Sequence, residues 1–330
     1  MAAAFDWPDG RRFAFTMVDD TDGSTVANVK SLYDLLHDLG LRVTKTVWPV
    51  GCPEGSADYW RSETLEDPQH LAFALDLRAR GFEVTWHGAT MESSPRERTL
   101  RAIERFTEAF GAPPRLHLNH SHNRENLYWG ANRVDDRLVR TFVSRAWRFP
   151  ADQFQGHVEG SPFWWGDLSA RHIEYARNLT FNEIDLARLN PSMPYRDSAR
   201  PLARWWFSSA DADGANELVP LLAPRNLDRL EAGGGFCIVA THFAKGFVQD
   251  GRVRQDVRER LEDLARRPGW FVPAGTLLDF LRARREREGR DGTLPPREWR
   301  RMQRRWARDL VERKLRLLRN GNLDPYQAAS

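Results

Sequence analysis

The chain has 330 residues, of which 41% are hydrophobic and 29% charged, a balance typical of globular proteins. Its first residues lack the charged-then-apolar pattern of a secretory signal, and no stretch approaches the roughly 18 apolar residues needed to span a membrane. We therefore expect a cytoplasmic location. Cys52 and Cys237 are the only cysteines, which excludes a disulfide framework and an all-cysteine metal site. The net charge of +3 is unevenly distributed, because residues 282–319 alone carry 15 Lys and Arg against 6 Asp and Glu.

Short apolar runs alternate with amphipathic stretches along the chain, the pattern of βα units around a parallel sheet. Up to residue 118 we predict strands at 13–18, 43–47, 82–86 and 116–118, and helices at 26–39, 71–80 and 95–110. Beyond it we predict a helix at 136–147, an aromatic loop or short helix at 161–169, strands at 173–176, 205–208, 236–240 and 270–272, and helices at 216–231, 254–266 and 276–287.

Seven or eight strands separated by helices, with no linker before residue 288, predict one barrel domain over residues 1–288. Residues 289–330 then form a linker and a basic C-terminal helix. Its apolar residues fall on one stripe, formed by Trp299, Met302, Trp306, Leu310 and Leu317. We expect this stripe to dock on the barrel or on a second subunit. Because no nucleic-acid motif accompanies the basic charge, we expect no nucleic-acid partner.

Polar side chains interrupt four of the predicted strand ends. They are Asp19 and Asp20, then His87, then Asn119, His120, His122 and Asn123, and finally His242. In barrels of this kind the chemistry takes place at the carboxyl-terminal ends of the strands. One carboxylate and two imidazoles form an open three-ligand site for zinc or a similar divalent ion. A second carboxylate would accept a proton and another histidine would donate one.

The order of these motifs resembles the polysaccharide deacetylase family. Residues 15–20 are similar to the family's first strand end, which implies that Asp19 is the catalytic base and Asp20 a metal ligand. His87 stands where the family's His-x-x-x-His metal motif begins, and His242 follows a strand similar to the one that carries the catalytic histidine. The resemblance implies a distorted (β/α)7-type TIM-like barrel and a divalent metal ion, with zinc expected. The implied reaction is hydrolysis of an amide or ester.

One position departs from this pattern. Four residues after His87 stands Met91, whose thioether is a poor ligand for a hard or borderline ion. We therefore expect the third ligand from the segment after the fourth strand, where His120 is favoured over His122 and His117.

The remaining site residues are expected from neighbouring segments. Arg115 lies near the place of the family's arginine motif and Arg177 is a second candidate, so both are expected in catalysis. Asn119, His122, Asn123 and Trp129 are the expected substrate contacts. The expected function is removal of an N-acetyl group from a carbohydrate or another N-acylated small molecule. The alternative, motivated by Met91, is a catalytically lapsed barrel that binds a glycan or a protein partner.

Overall fold

The computed structural model describes residues 5–58, 62–120, 122–146 and 151–319, without the side chains of 146, 151 and 316–319. Every residue of the first strand, β1 (Phe13–Asp19), is buried. Successive side chains of a strand point to opposite faces. Phe13, Phe15 and Met17 pack against the helix that follows the strand, so the even-numbered positions face the other side, which in a closed barrel is the interior.

Seven parallel strands of the described chain close into a barrel, as predicted. They are β1 (Phe13–Asp19), β2 (Thr44–Val47), β3 (Glu83–Trp86), β4 (Leu116–His117), β5 (Tyr175–Phe181), β6 (Trp205–Asp211) and β7 (Phe236–Thr241). Each strand pairs with the next, and β7 returns to β1 in a register that runs from Ala14 opposite Phe236 to Asp19 opposite Thr241. Their carboxyl ends therefore meet at one mouth of the barrel.

The barrel is distorted between β1 and β2. After β7 come a two-stranded hairpin of β8 (Val248–Gln249) and β9 (Arg252–Val253), and then β10 (Gly269–Phe271). Strand β10 pairs with residues 13–15 of β1, so β2 pairs with β1 only at Val18 and Asp19. The additional strand therefore wedges the barrel open at its amino-terminal end.

Helices connect the strands and surround the barrel. They are α1 (Val26–Asp38), α2 (Pro68–Ala79), α3 (Arg96–Phe110), α4 (Arg137–Ala146), α5 (Gly166–His172), α6 (Ala215–Leu221), α7 (Pro224–Gly233), α8 (Gln255–Ala265), α9 (Ala274–Arg287) and α10 (Pro296–Arg319). Short 3₁₀ turns lie at Pro8–Gly10, Gly130–Arg133, Ala151–Gln153 and Leu186–Arg188. No helix of the described ranges has the length and hydropathy to cross a membrane.

The single helix predicted at 216–231 is instead two helices. A proline inside a helix cannot donate the backbone hydrogen bond that continues it, whereas a proline in the first turn is well tolerated. Helix α6 contains Pro220 near its end, and Pro224 begins α7. Strand β5 is also longer than the predicted 173–176, since it continues to Phe181. The extension includes Arg177, which matters for the site described below.

Helix α10 packs on the barrel beside β5 and α4. Met302 and Trp306, from the predicted apolar stripe, are 1% and 2% exposed, and Trp299 and Leu310 pack against the same core. The side chain of Leu317 lies outside the described residues. The fully buried Asp309 accepts a hydrogen bond from the backbone N–H of Asn182, just after β5. A domain boundary after residue 288 stays a prediction, as does an oligomer through this helix.

Replacing Met302 with alanine tests this packing. Removing a buried side chain of this size should lower the free energy of unfolding by about 2–5 kcal/mol, measured by denaturant titration. Leu315→Ala on the same helix is the control, because Leu315 is 48% exposed and should change stability by less than about 0.5 kcal/mol. Equal, small effects of both substitutions would contradict the docked position of α10.

Candidate active site

Asp19, at the end of β1, is fully buried, and both of its carboxylate oxygens are engaged. Oδ1 accepts a hydrogen bond from the backbone N–H of Phe243, and Oδ2 accepts one from the Tyr33 hydroxyl. The ammonium of Lys45 lies 2.9 Å from Oδ2 and is itself 1% exposed. As an odd-numbered position of β1, Asp19 faces the helix layer and not the mouth. This environment contradicts the expectation that Asp19 is the catalytic base.

Asp20 is the first carboxylate that faces the mouth of the barrel. The guanidinium of Arg177, on β5, donates to both of its oxygens, at 3.1 and 2.6 Å. Although burial alone would raise it, the charge of Arg177 helps to hold the pKa of Asp20 below its ordinary value. The structure therefore brings together Arg177 and Asp20, both expected at the site, as a bidentate ion pair that fixes the carboxylate plane.

Asp22 lies at the centre of a cluster of three histidines. Its Oδ2 is 3.3 Å from Nε2 of His120 and 3.2 Å from Nε2 of His242, and its Oδ1 is 3.5 Å from Nε2 of His87. Nε2 of His87 also lies 3.9 Å from Oδ2 of Asp20. These histidines follow β3, β4 and β7, so one carboxylate joins three strand ends.

The three imidazoles carry different charges at neutral pH. Burial lowers the pKa of His87 to about 4, so this ring is neutral. Burial has the same tendency at His120 and His242, but Asp22 outweighs it at His120, raising its pKa to about 9. Asp213 and Asp22 together raise the pKa of His242 to about 10. Burial would raise the pKa of Asp22, yet the charge and hydrogen bond of His120 help to hold it well below its ordinary value.

Neighbouring groups orient two of these rings through their second nitrogen. Nδ1 of His120 lies 3.1 Å from Oδ1 of Asn123, whose Nδ2 donates to Glu125 and to the backbone oxygens of Thr90 and Glu92. Nδ1 of His242 lies 2.8 Å from the backbone oxygen of Asp213 and 3.1 Å from its carboxylate. Each arrangement leaves Nε2 directed at Asp22. Such outer contacts are typical of histidines that bind metals or transfer protons.

Met91, which stands where the resemblance expects a histidine, packs against Trp48 and Cys52. Trp48 follows β2 and is 1% exposed. Its ring centroid is 5.1 Å from that of His87 and 5.3 Å from that of His120. Met91 therefore belongs to an apolar cluster whose Trp48 ring packs against both histidines.

The four expected substrate contacts differ in their environment. The amide of Asn119 donates to the backbone oxygen of Leu127 and accepts from its N–H, and the amide of Asn123 is engaged as described above. Both asparagines thus hold the connection after β4 in shape. His122 is exposed, and the ring of Trp129 stacks on the guanidinium of Arg133.

Arg115 lies far from this cluster along the barrel axis, which corrects its expected catalytic role. It precedes β4 and therefore sits at the amino-terminal end of the barrel. Its guanidinium is 2.5 Å from a carboxylate oxygen of Glu174 and 2.9 Å from one of Asp279, on α9. A side chain held at the amino-terminal end of the barrel cannot contact a substrate at the opposite mouth. These ion pairs instead join β4, β5 and α9.

The donor atoms around Asp22 match the chemistry of a divalent metal site. One carboxylate with Nε2 of His87 and His120 forms a common ligand set for zinc. Separations of 3.3 and 3.5 Å between the Asp22 oxygens and these nitrogens are close to the ~3.3 Å expected between ligands whose bonds to a tetrahedral ion are about 2.0 Å. Oδ1 of Asp22 is buried and accepts no hydrogen bond, which leaves it open to a cation.

The cluster is nevertheless not closed around an ion position. In the described ranges, no three side chains among His, Cys, Asp and Glu are already gathered as a metal site requires. The physical reason is that Oδ2 of Asp22 is shared by His120 and His242, which attract it as cations. Metal binding would have to release the proton of His120.

Three residues of this site were missed in the sequence, although each carries a signal. Asp22 stands two residues after Asp20, the spacing that places two side chains on one face of an extended chain. Lys45 is a charge inside a predicted barrel strand, where a buried charge requires a partner. Asp213 follows β6, whose predicted end at residue 208 was too early to draw attention to it.

The fold of this barrel is similar to that of solved structures. The chain is similar to a protein from Mycobacterium smegmatis assigned as a polysaccharide deacetylase, with a TM-score of 0.51, 13% identity, and coverage of 86% of this chain and 95% of the other. It also matches an allantoinase, at 13% identity and TM-score 0.48 over 84% and 92% of the two chains. A third match is a peptidoglycan deacetylase from Bacillus subtilis, at 11% identity and TM-score 0.40 over 85% and 96%.

The likeness to the Mycobacterium smegmatis protein confirms the expected fold. No protein-family model and no curated protein matches the sequence. The chemistry must therefore be argued from the site itself.

The buried pair of Lys45 and Asp19 can be tested by mutation. Lys45→Met leaves the Asp19 carboxylate buried without a countercharge and should lower the free energy of unfolding by about 3–5 kcal/mol. The double variant Lys45→Met, Asp19→Asn removes both charges and should recover much of this loss. Denaturant titrations of the four proteins form a double-mutant cycle. Additive effects would show that the two groups do not interact as the structure describes.

Proposed function

We propose that this chain is a metal-dependent hydrolase that removes an acyl group, in the first place N-acetyl, from a carbohydrate or sugar-containing substrate. The observation that supports this most directly is the Asp22 carboxylate, which faces Nε2 of His87, His120 and His242 at the mouth of a deacetylase-type barrel. The cluster thus offers a candidate for each role that acyl transfer needs, namely the metal ligands, the general base and the general acid.

In this proposal Asp22, His87 and His120 hold the ion, and zinc is the expected metal. Asp22 thus replaces Asp20 as the carboxylate ligand, because it faces Nε2 of both histidines, whereas Asp20 faces Arg177. A bound divalent ion would polarise the acyl carbonyl and acidify a water molecule. The neutral state of His87 suits a ligand, and the hydrogen bond from His120 to Asn123 fixes the ring orientation.

Asp20 and His242 are the proposed base and acid. Arg177 keeps Asp20 ionised and fixes the carboxylate plane, and the lone pairs that the guanidinium leaves free can accept a proton from a nucleophilic water. His242 is held by Asp213, and its raised pKa of about 10 means that it carries a proton at neutral pH. That proton is available to the leaving amine. Trp129 and His122 are the proposed substrate contacts at the rim.

The alternative is a barrel that binds a glycan or a protein partner without hydrolysing it. It is supported by the buried Met91 and by the sharing of Asp22 between two charged histidines. The two functions differ in metal binding, which gives a direct way to choose between them.

Metal binding by two matched variants tests the ligand assignment. We expect the wild type to bind one Zn²⁺ or Co²⁺ per chain by calorimetry, with an affinity that Asp22→Asn strongly reduces because it removes the anionic ligand. Asp20→Asn should retain the metal. Affinity lost in Asp20→Asn and kept in Asp22→Asn would return the ligand role to Asp20.

Activity on an N-acetylated sugar provides the second test. Asp20→Asn and His242→Gln should each lower kcat by about 10²–10⁴-fold, the usual contribution of a general base or acid. Chelation should abolish the activity and added metal restore it. Sugar binding that persists in Asp22→Asn, in a protein that neither binds metal nor hydrolyses acetylated sugars, would instead establish the lapsed barrel.

A further inference from the structure

Arg133 is a buried guanidinium to which the described part of the chain offers no counterion. It ends the 3₁₀ turn Gly130–Arg133 between β4 and α4, and its side chain is 7% exposed. Nε and Nη2 have no hydrogen-bond partner, and no carboxylate in the described ranges forms an ion pair with it. Burying an unpaired charge costs free energy, so other interactions must stabilise this guanidinium.

Two tryptophans account for part of the stabilisation. The guanidinium carbon lies 3.1 Å from the ring centroid of Trp129 and 5.3 Å from that of Trp306 on α10. Stacking and cation–π attraction use the faces of the guanidinium plane. The N–H groups lie in that plane, so the aromatic rings leave them without acceptors.

Two buried residues of α10 near this turn also carry unpaired donors. Gln303 and Trp306 are buried on the same face of α10, and Nε2 of Gln303 and Nε1 of Trp306 have no partner. Oε1 of Gln303 accepts the backbone N–H groups of Asp135 and Asp136, at 2.7 and 2.8 Å. Those bonds fix the orientation of the amide, so its unpaired end is the NH₂. A group of donors that lacks acceptors is complementary to an oxyanion.

The charges around Arg133 favour an anion as well. Burial, together with the positive charges of Arg177 and Arg313, lowers the pKa of Arg133 well below its ordinary value. The nearby carboxylate of Asp211 is already paired with Arg313, at 2.8 Å. Arg177 is likewise paired with Asp20, so of these three guanidinium groups Arg133 alone lacks a carboxylate partner among the described residues.

The region adjoins the mouth of the barrel. Arg313 donates to Thr180 and pairs with Asp211, which lie near the carboxyl ends of β5 and β6. The connection that carries Arg133 also carries His120 and Asn123 of the proposed site. A substrate that extends from Asp22 toward β5 therefore reaches the side of the mouth where Arg133 lies.

We propose that Arg133, Gln303 and Trp306 form a subsite for an oxyanion of the substrate, a phosphate or carboxylate carried by the acylated sugar. Helix α10 thereby contributes two of the three donors of this subsite. The identity of the attached sugar rests on the proposed function, whereas anion binding as such does not.

Binding of inorganic phosphate tests the subsite without any catalysis. Phosphate should raise the Tm of the wild type in a concentration-dependent way, and Arg133→Met should weaken its affinity by about tenfold or more. In phosphate-free buffer Arg133→Met should be at least as stable as the wild type, because it replaces an unpaired buried charge with an apolar side chain of similar length. Arg301→Met, an exposed arginine on α10, is the control and should bind phosphate normally.

Two results would overturn the subsite. One is a wild-type Tm that phosphate does not change, which needs no variant. The other is a phosphate response that Arg133→Met and Arg301→Met share with the wild type, which would mean general ionic binding. If Arg133→Met does not fold, Arg133→Lys keeps the charge but not the planar fork, and it should fold with weakened phosphate binding.

Substrate comparison identifies the source of the oxyanion. With N-acetylglucosamine, its 1-phosphate and N-acetylglucosaminuronic acid, Arg133→Met should raise KM by about 10- to 100-fold for the anionic sugar that the site selects. KM for the neutral sugar should rise far less than this. An equal effect on the neutral sugar would overturn the subsite. Hydrolysis of none of the three, with phosphate binding intact, would instead contradict the proposed function and leave the subsite standing.

Discussion

The carboxylate of Asp22 lies within 3.5 Å of the Nε2 atoms of His87, His120 and His242, which follow three different strands. A buried anion shared by three imidazoles constrains all three strand ends, because loss of Asp22 would remove a partner from each ring at once. The outer contacts from Asn123 and Asp213 then fix the ring orientations. The geometry of the mouth thus depends on one side chain that belongs neither to a strand nor to a helix.

The three acids at the end of β1 have different partners, because their side chains point in different directions. Asp19 faces the helices and is neutralised by Lys45, so it stabilises the fold. Asp20 faces the mouth and is held by Arg177, which suits a proton acceptor. Asp22 faces the histidines and suits a metal ligand. The chemistry for which each carboxylate is suited therefore depends on its countercharge and on its burial.

Much of the fold was predictable from the sequence, since apolar runs and helix periodicity reflect burial in a layered barrel. The order of Asp20, His87 and His242 at strand ends also predicted that these side chains meet at one mouth of the barrel. Distinguishing Asp19 from Asp22 required the face of β1, and that depends on a pairing register that apolar runs do not reveal. Arg115 was expected at the site although it precedes β4. A residue just before a strand lies at the opposite end of the barrel from one just after it, even when the strand is short.

The role of α10 was the least accessible to sequence reasoning. Its apolar stripe predicted a docked helix, but not that the buried face also carries the unpaired amide of Gln303 and indole of Trp306 next to Arg133. Long-range contacts between residue 133 and a helix more than 160 positions later leave no local pattern. The basic composition of the tail instead draws attention to its exposed arginines, which have no part in the proposed subsite.

The most direct test of the central assignment is a crystal structure grown with Zn²⁺, with anomalous diffraction recorded at the zinc edge. A single strong anomalous peak is expected about 2.0–2.2 Å from an oxygen of Asp22 and from Nε2 of His87 and His120, with Asp20 still paired to Arg177. A peak bound by Asp20 in place of Asp22, or no peak at this mouth of the barrel, would contradict the account.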